Sequence, residues 1–332
     1  MRLHKPNLSE PPVNIVGPDE LVFGVEDMTA CSQYLQDYGL TRAGSQGRSE
    51  RFKALDGTAI VLRDASDPDL PPTQGKSAAL RETVYGVADA NALELIAAEI
   101  SKDREVRRGA GGSVMCADNM GFALRFQITC RQPYTAPPDL TNAPGSQLQR
   151  GVNVLGITPD MKALPRTLSH VVLFVTDAMQ AESFYHRLGF RTTDRFTNAG
   201  PFMRPAGTLE HHTLFLIQAP PFMQGCEHFT FHLGSGTEVL VAGTRFEAKG
   251  YKTFWGPGRH LFGSNWFWYF NSPLGCHVEY DADMDLHDDR WVAREAPAGA
   301  DTSQLFLFTR RDKWFPGGAP QKAPSVGEVA SI

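Results

Sequence analysis

The chain has 332 residues, 42% hydrophobic and 21% charged, with a formal net charge of −5. These values describe a folded protein large enough for two ordinary domains. Because no basic cluster exceeds a pair or triplet, they exclude a nucleic-acid surface.

Five cysteines (Cys31, Cys116, Cys130, Cys226 and Cys276) are scattered and show no CxxC spacing, as expected of reduced thiols in a cytoplasmic protein. Met1–Asn7 lacks the apolar segment of an export signal, and no 18-residue apolar run follows, so no membrane span is expected.

In chain order, a polar arm runs to about Val13. A first helix is expected over Met28–Tyr38, with Asp27 as its N-cap and Gly39 as the residue that ends it. A second is expected over Ala88–Ile100, while Thr58–Leu62 and Gly121–Phe126 read as strands. Arg108–Gly112 reads as a loop, since neither GxGxxG nor GxxxxGK[ST] surrounds it. Residues 131–165, with Pro133, Pro137, Pro138 and Pro144, are expected to link two domains, 14–130 and 166–285. An extension, 286–332, adds the strand-like run Gln304–Thr309 and a polar tail.

The second half repeats the first. His170–Asp177 lies over Glu20–Asp27 at an offset of 150 residues, and the same offset brings Gly189 over Gly39. Asp177 should cap a helix whose Ala181, Phe184, Tyr185 and Leu188 form one apolar stripe. Glu227–Phe231 matches Glu82–Gly86, and Gly275–Tyr280 matches Gly121–Phe126. Each half therefore holds a strand–helix–strands unit twice, an α+β architecture of four similar modules.

The densest stretch is Gly256–Glu279. A Gly/Pro turn presents His260, an aromatic run carries Tyr269, and Ser272-Pro-Leu-Gly275 forms a tight turn before a strand bearing Glu279. His170 and His228 open the first strands of the two modules of this half, and Glu279 sits on a closing strand. Two imidazoles and one carboxylate on one face make the ligand set of non-haem Fe(II) oxygen chemistry. His232 is set aside, because four residues along a strand separate it from His228 by about 13 Å.

Gly258-Arg-His260, Tyr269, Pro273-Leu-Gly275 and Glu279 resemble, in order and spacing, the closing signature of type I extradiol ring-cleavage dioxygenases of the vicinal oxygen chelate superfamily. The resemblance covers roughly residues 165–285, and the amino-terminal half only as architecture. It departs at Trp268, where an aliphatic residue or Phe is usual, and at Ser272, where Asp, Asn, Thr, Ala or Glu is usual.

The resemblance implies two domains, each of two βαβββ modules forming a curved mixed sheet around a central cavity. It makes His170, His228 and Glu279 ligands of Fe(II), with Mn(II) as the other candidate ion. It makes His212 the acid/base, chosen over His211 because it precedes Thr213, with His260 and Tyr269 binding and polarising the substrate. Phe202, Trp266, Phe267 and Trp268 are expected as apolar walls. In the amino-terminal half the register puts Glu20, Thr83 and Arg125 at the ligand positions, so that half should hold no metal and serve as scaffold and subunit contact.

The implied activity is cleavage by O2 of a catechol-type ring beside its vicinal hydroxyls, in a cytoplasmic homo-oligomer. A metal-dependent lyase, isomerase or epimerase of the same superfamily is the alternative, although a glyoxalase-like enzyme usually has a second Glu where His170 or His228 stands. A non-catalytic protein that binds an aromatic ligand is the remaining one.

Overall fold

The computed structural model describes residues 13–46, 48–74 and 79–308; the polar arm and the carboxy-terminal tail fall outside them. Two mixed sheets, of eight and ten strands, dominate the described residues. The four-module reading holds. The opening strands Ile15–Val25 and Ala79–Val87 pair antiparallel at the centre of the first sheet, and each pairs parallel with the closing strand of its own module. Thr167–Val175 and Gly225–His232 repeat this plan in the second sheet.

Local chemistry sets the helices. Asp27 accepts the Ala30 backbone N–H at 2.9 Å to open Met28–Tyr38, and Gly39 at φ 112° ends it, a left-handed conformation that costs glycine little. Asp177 caps Ala178–Arg187 through Gln180 N–H at 2.9 Å. The second helix begins at Ala90, two residues later than expected, because Asp89 caps it through Ala92 N–H. No helix of the described residues is long and apolar enough to cross a membrane.

One apolar cluster runs through both halves. Tyr38 stacks on Tyr280 with ring centroids 4.1 Å apart, and the two exchange polar contacts with the facing backbone: Tyr38 Oη donates to Glu279 O and Tyr280 Oη to Tyr38 O. The first helix of the chain thus buttresses the strand that carries Glu279.

Two local expectations are corrected. Gly256–His260 is not a turn but part of strand Thr253–His260, accommodated by register shifts against Trp266–Asn271. The extension also joins the second sheet. Arg294–Ala296 pairs with Phe190–Phe196 and Gln304–Leu307 with Thr253–His260, so the extension forms both sheet edges.

Candidate metal centre and cavity

Sheet register assembles the site. His170 pairs with Thr230, Thr230 with Glu279, and Glu279 with Tyr269, one row across four adjacent strands. His228 stands two residues before Thr230, hence on the same face. His170 Nε2 lies 3.3 Å from His228 Nε2 and 3.2 Å from Glu279 Oε2, and His228 Nε2 lies 3.5 Å from the same oxygen. All three residues are buried.

These separations suit donors at right angles about an ion roughly 2.1 Å from each, which would stand about 3 Å apart. Among the described residues this is the one group of three or more metal-binding side chains so placed. His232 lies elsewhere, its imidazole between Asp281 at 2.6 Å and Glu210 at 3.3 Å.

The surrounding hydrogen bonds turn the ring nitrogens correctly. A carboxylate only accepts, so the Glu227 contact takes the His228 Nδ1–H, and Glu227 also accepts from His277 Nδ1 at 2.8 Å. His170 Nδ1 meets Ser169 Oγ at 2.8 Å, whose own proton points to Asp281 Oδ2 at 3.4 Å. Both Nε2 lone pairs then converge beside Glu279, the usual support of metal-binding histidines. Glu279 Oε2, the oxygen beside both Nε2 atoms, accepts from Thr230 Oγ1, while Oε1, fully buried, accepts no hydrogen bond and lies 3.5 Å from His260 Nε2, so the carboxylate keeps lone pairs for a cation. The donor set fits a divalent transition metal.

Protons compete for the same positions, so a bound cation would displace the one on His228 Nε2. Burial alone would push the Glu279 carboxyl up, yet the histidines around it hold it well below the usual range. Burial would lower His228, but Glu227 and Glu279 outweigh it and push the imidazole up to about 10. His170 is lowered, chiefly by burial.

The remaining expected residues gather at the same place. A cavity of about 330 Å³ is lined by His170, His212, His228, His260 and Tyr269. The His212 ring lies 4.3 Å from that of His170, tilted by 46°, and burial together with His170 and His211 lowers it well below its ordinary value. His211 does not line the cavity; its Nε2 meets Asp194 Oδ2 at 2.8 Å. His260 Nδ1 donates to Ser303 O at 2.8 Å, which leaves its Nε2 to accept from Tyr269 Oη at 3.2 Å.

Of the four expected wall residues, Phe202 lines the cavity and the others do not. Strand alternation turns Trp268 away, into a bed against Gly243, with its indole N–H on Thr253. Phe267 instead stacks under His260 at 4.0 Å, and Trp266 packs against Phe306 and Phe308.

Sequence reading missed Glu227, Asp194, Ser303 and the box of Phe196, Phe215 and Phe262. Alternation argues against Glu227 reaching His228, but a register shift between Cys226 and His228 bends the strand there. Asp194 and Ser303 carried no usable signal, because their partners lie 17 and 43 residues away.

In the amino-terminal sheet the corresponding row is Glu20, Val84 and Arg125. The partner of His228 is therefore Glu82, one residue from the expected Thr83: Glu82 pairs with Val22 as His228 pairs with Val172. Arg125 reaches Glu82 at 3.0 Å and Glu20 at 3.7 Å. A guanidinium and two carboxylates occupy the three ligand-equivalent positions.

Residues 167–280 match the model of the Glyoxalase/Bleomycin resistance protein/Dioxygenase superfamily. Metapyrocatechase 2 of Cupriavidus necator is 36% identical over 151 residues, which cover 45% of this chain and 45% of that protein; the match spans less than half of the relative's length.

Among solved structures, the Mn(II)-bound glyoxalase from Novosphingobium aromaticivorans superposes with a TM-score of 0.67 at 20% identity, covering 88% of this chain and 91% of its own. Homoprotocatechuate 2,3-dioxygenase from Arthrobacter globiformis superposes at 0.66 and 17% identity, covering 91% and 90%. These likenesses show the fold, which serves both chemistries.

Proposed function

We propose, from the match of residues 167–280 to the glyoxalase/bleomycin resistance protein/dioxygenase superfamily, that the chain is an Fe(II)-dependent extradiol dioxygenase acting on a catechol-type diol with O2. Residues 166–285 are the catalytic domain, 14–130 the non-catalytic one, 131–165 their linker and 286–332 an extension whose Arg294–Ala296 and Gln304–Leu307 form the sheet edges. The single observation that carries this reading is the convergence of His170, His228 and Glu279 with His212, His260 and Tyr269 on one cavity. A glyoxalase-like lyase or isomerase has no evident use for His212 and the His260–Tyr269 pair beside a ligand set with a single carboxylate.

His170, His228 and Glu279 would hold the ion, Fe(II) in preference to Mn(II) for oxygen chemistry with this ligand set. Bound there, it would supply a chelation point for two vicinal oxygens and a path for electrons from the ring to O2.

The chain's own residues would do the rest. His212, held neutral by burial, takes the proton of a substrate hydroxyl and later returns it, a role for a positioned imidazole. Its Nδ1 is oriented by His211, so its Nε2 is the atom left for the substrate. Tyr269 Oη, aligned by His260 Nε2, binds a substrate oxygen. The apolar lining excludes water.

A cytoplasmic homo-oligomer completes the reading, supported by the exposed apolar side chains Leu148, Val152, Val154, Leu155 and Ile157 of the linker. Oxygen uptake by anaerobically iron-loaded protein on a catechol panel tests the activity. Ring-cleavage chromophores are expected, and turnover of an α-ketoaldehyde–thiol adduct without oxygen use would replace this reading with the glyoxalase one.

A further inference from the structure

The polar lining of the cavity is confined to one end. His170, His212, His228, His260 and Tyr269 stand there, and Glu227, Asn265 and Ser303 accompany them through contacts to His228 and His260. The other end is a box of Phe196, Ala199, Phe202, Phe215, Ile217 and Phe262. Four of these side chains, with Val172, form an apolar cluster separate from the main core, against which Ala199 and Ile217 also pack. Phe202 and Phe215 are stacked at 3.9 Å, Phe196 and Phe262 at 5.0 Å, and Phe202 also meets the His212 ring at 5.0 Å. The box therefore begins directly beside the proposed acid/base.

Size and charge then limit what fits. A cavity of roughly 150 Å³ holds one benzene ring, and this one measures about 330 Å³, room for a second ring beyond the one that meets the metal end. Among the described residues that line it, none is Lys or Arg, and Glu227 adds a carboxylate. Arg294, 4.9 Å from the Phe262 ring centroid, does not line the cavity and is held by Asp194. A substrate carboxylate in the box would be a buried charge without a partner, an arrangement that is strongly disfavoured.

We infer that this site takes an uncharged catechol bearing an apolar substituent about the size of one further ring, and that it discriminates against carboxylate-bearing catechols. The inference rests on the dioxygenase reading for the diol end only. Ile217 sits where strand Leu214–Gln218 passes from buried to exposed, so it marks the mouth of the box and is the position that sets this preference.

The test uses the metal-loaded full chain, with anaerobic binding and aerobic cleavage measured in parallel. The probes are catechol, phenyl-substituted catechols (both positional isomers), and their carboxylate derivatives. The better phenyl isomer should bind at least about tenfold more tightly than catechol, the gain expected when an added apolar group fills a fitting pocket. Its carboxylate derivative should bind about 10²-fold more weakly than the parent. Ile217→Arg should narrow that gap by about tenfold or more by placing a cation at the mouth.

Equal or tighter binding of the carboxylate by the unaltered chain overturns the inference, and so does a phenyl isomer weaker than catechol while catechol is still cleaved. Selective binding of the phenyl compound without cleavage of any probe would uphold the substrate class and overturn the dioxygenase reading. Binding of none of the probes overturns both.

Discussion

His211 Nδ1 lies 2.9 Å from His212 Nδ1, and His211 Nε2 lies 2.8 Å from Asp194 Oδ2. Asp194 can only accept, so His211 donates from Nε2. A neutral His211 then accepts at Nδ1, which requires His212 to carry its proton on Nδ1 and to offer the Nε2 lone pair to the cavity. Two adjacent histidines that the sequence leaves nearly interchangeable are given different tasks by the strand and loop around them.

His212→Phe should keep most of the metal, because His212 is outside the His170–His228–Glu279 group. Turnover should fall by roughly 10² to 10⁴, the usual contribution of one placed proton-transfer group. His211→Phe should cost less, about tenfold, since it removes orientation and not the group itself. Single-turnover kinetics on iron-loaded protein checks both; loss of iron from His212→Phe would make it a ligand.

Glu279→Gln should lower bound metal sharply. The amide keeps the shape but loses the charge that balances the cation, and its NH2 group would face the two Nε2 atoms as a donor. Metal analysis after anaerobic loading and desalting measures this, and a full complement of metal in the variant would remove Glu279 from the centre.

The legible parts of this chain were those set by short-range chemistry. Asp27 and Asp177 as caps, Gly39 at positive φ and the Pro273–Gly275 turn all act within a few residues. The 150-residue repeat then supplied the module plan. Facing and register were less legible, because bulges break the two-residue period. A shift at Cys226/His228 brings Glu227 to His228, whereas Glu82 and Val84 follow plain alternation and Thr83 is one residue out of step with the repeat. Trp268 read as a wall because the run around it is uniformly aromatic, with no polar residue to mark the outer face. Ser303 reaches His260 only because the extension returns to the sheet edge.

Arg125 offers a test of the amino-terminal half. Its guanidinium lies among Glu20 and Glu82 where the other half gathers metal ligands, and a cation already fixed by covalent attachment leaves no need for an ion. Arg125→Met should leave metal content at one per chain. It should cost about 1–2 kcal/mol of stability, because Glu82, 13% exposed, loses its partner and Glu20, 14% exposed, keeps only Arg51 at 2.9 Å. Denaturant unfolding of the metal-loaded variant reads the second effect. Metal loss without a stability change would contradict the assignment.

Glu182 predicts a specific pH dependence of stability away from the site. The residue is buried; that alone would push its carboxyl up, but His186 at 3.2 Å, Thr192 at 2.6 Å and Arg195 outweigh burial and bring it down to about 2. An unfolded glutamate titrates near 4.5. The folded state therefore binds fewer protons than the unfolded state between those values, so stability rises with pH across that window and is lost as pH falls through it. At neutral pH the contribution is about 3 kcal/mol. Glu182→Gln lacks the ionisable group, so it should be less stable than the parent by up to that amount at pH 7, reduced by whatever hydrogen bonding the amide retains. The gap should shrink by about 1 kcal/mol between pH 6 and pH 4, since the unfolded parent begins to take up its proton there. Urea titrations of both chains at these two pH values measure it. A gap that stays constant, or that widens toward pH 4, would mean that the Glu182 carboxylate is not held ionised by His186, Thr192 and Arg195.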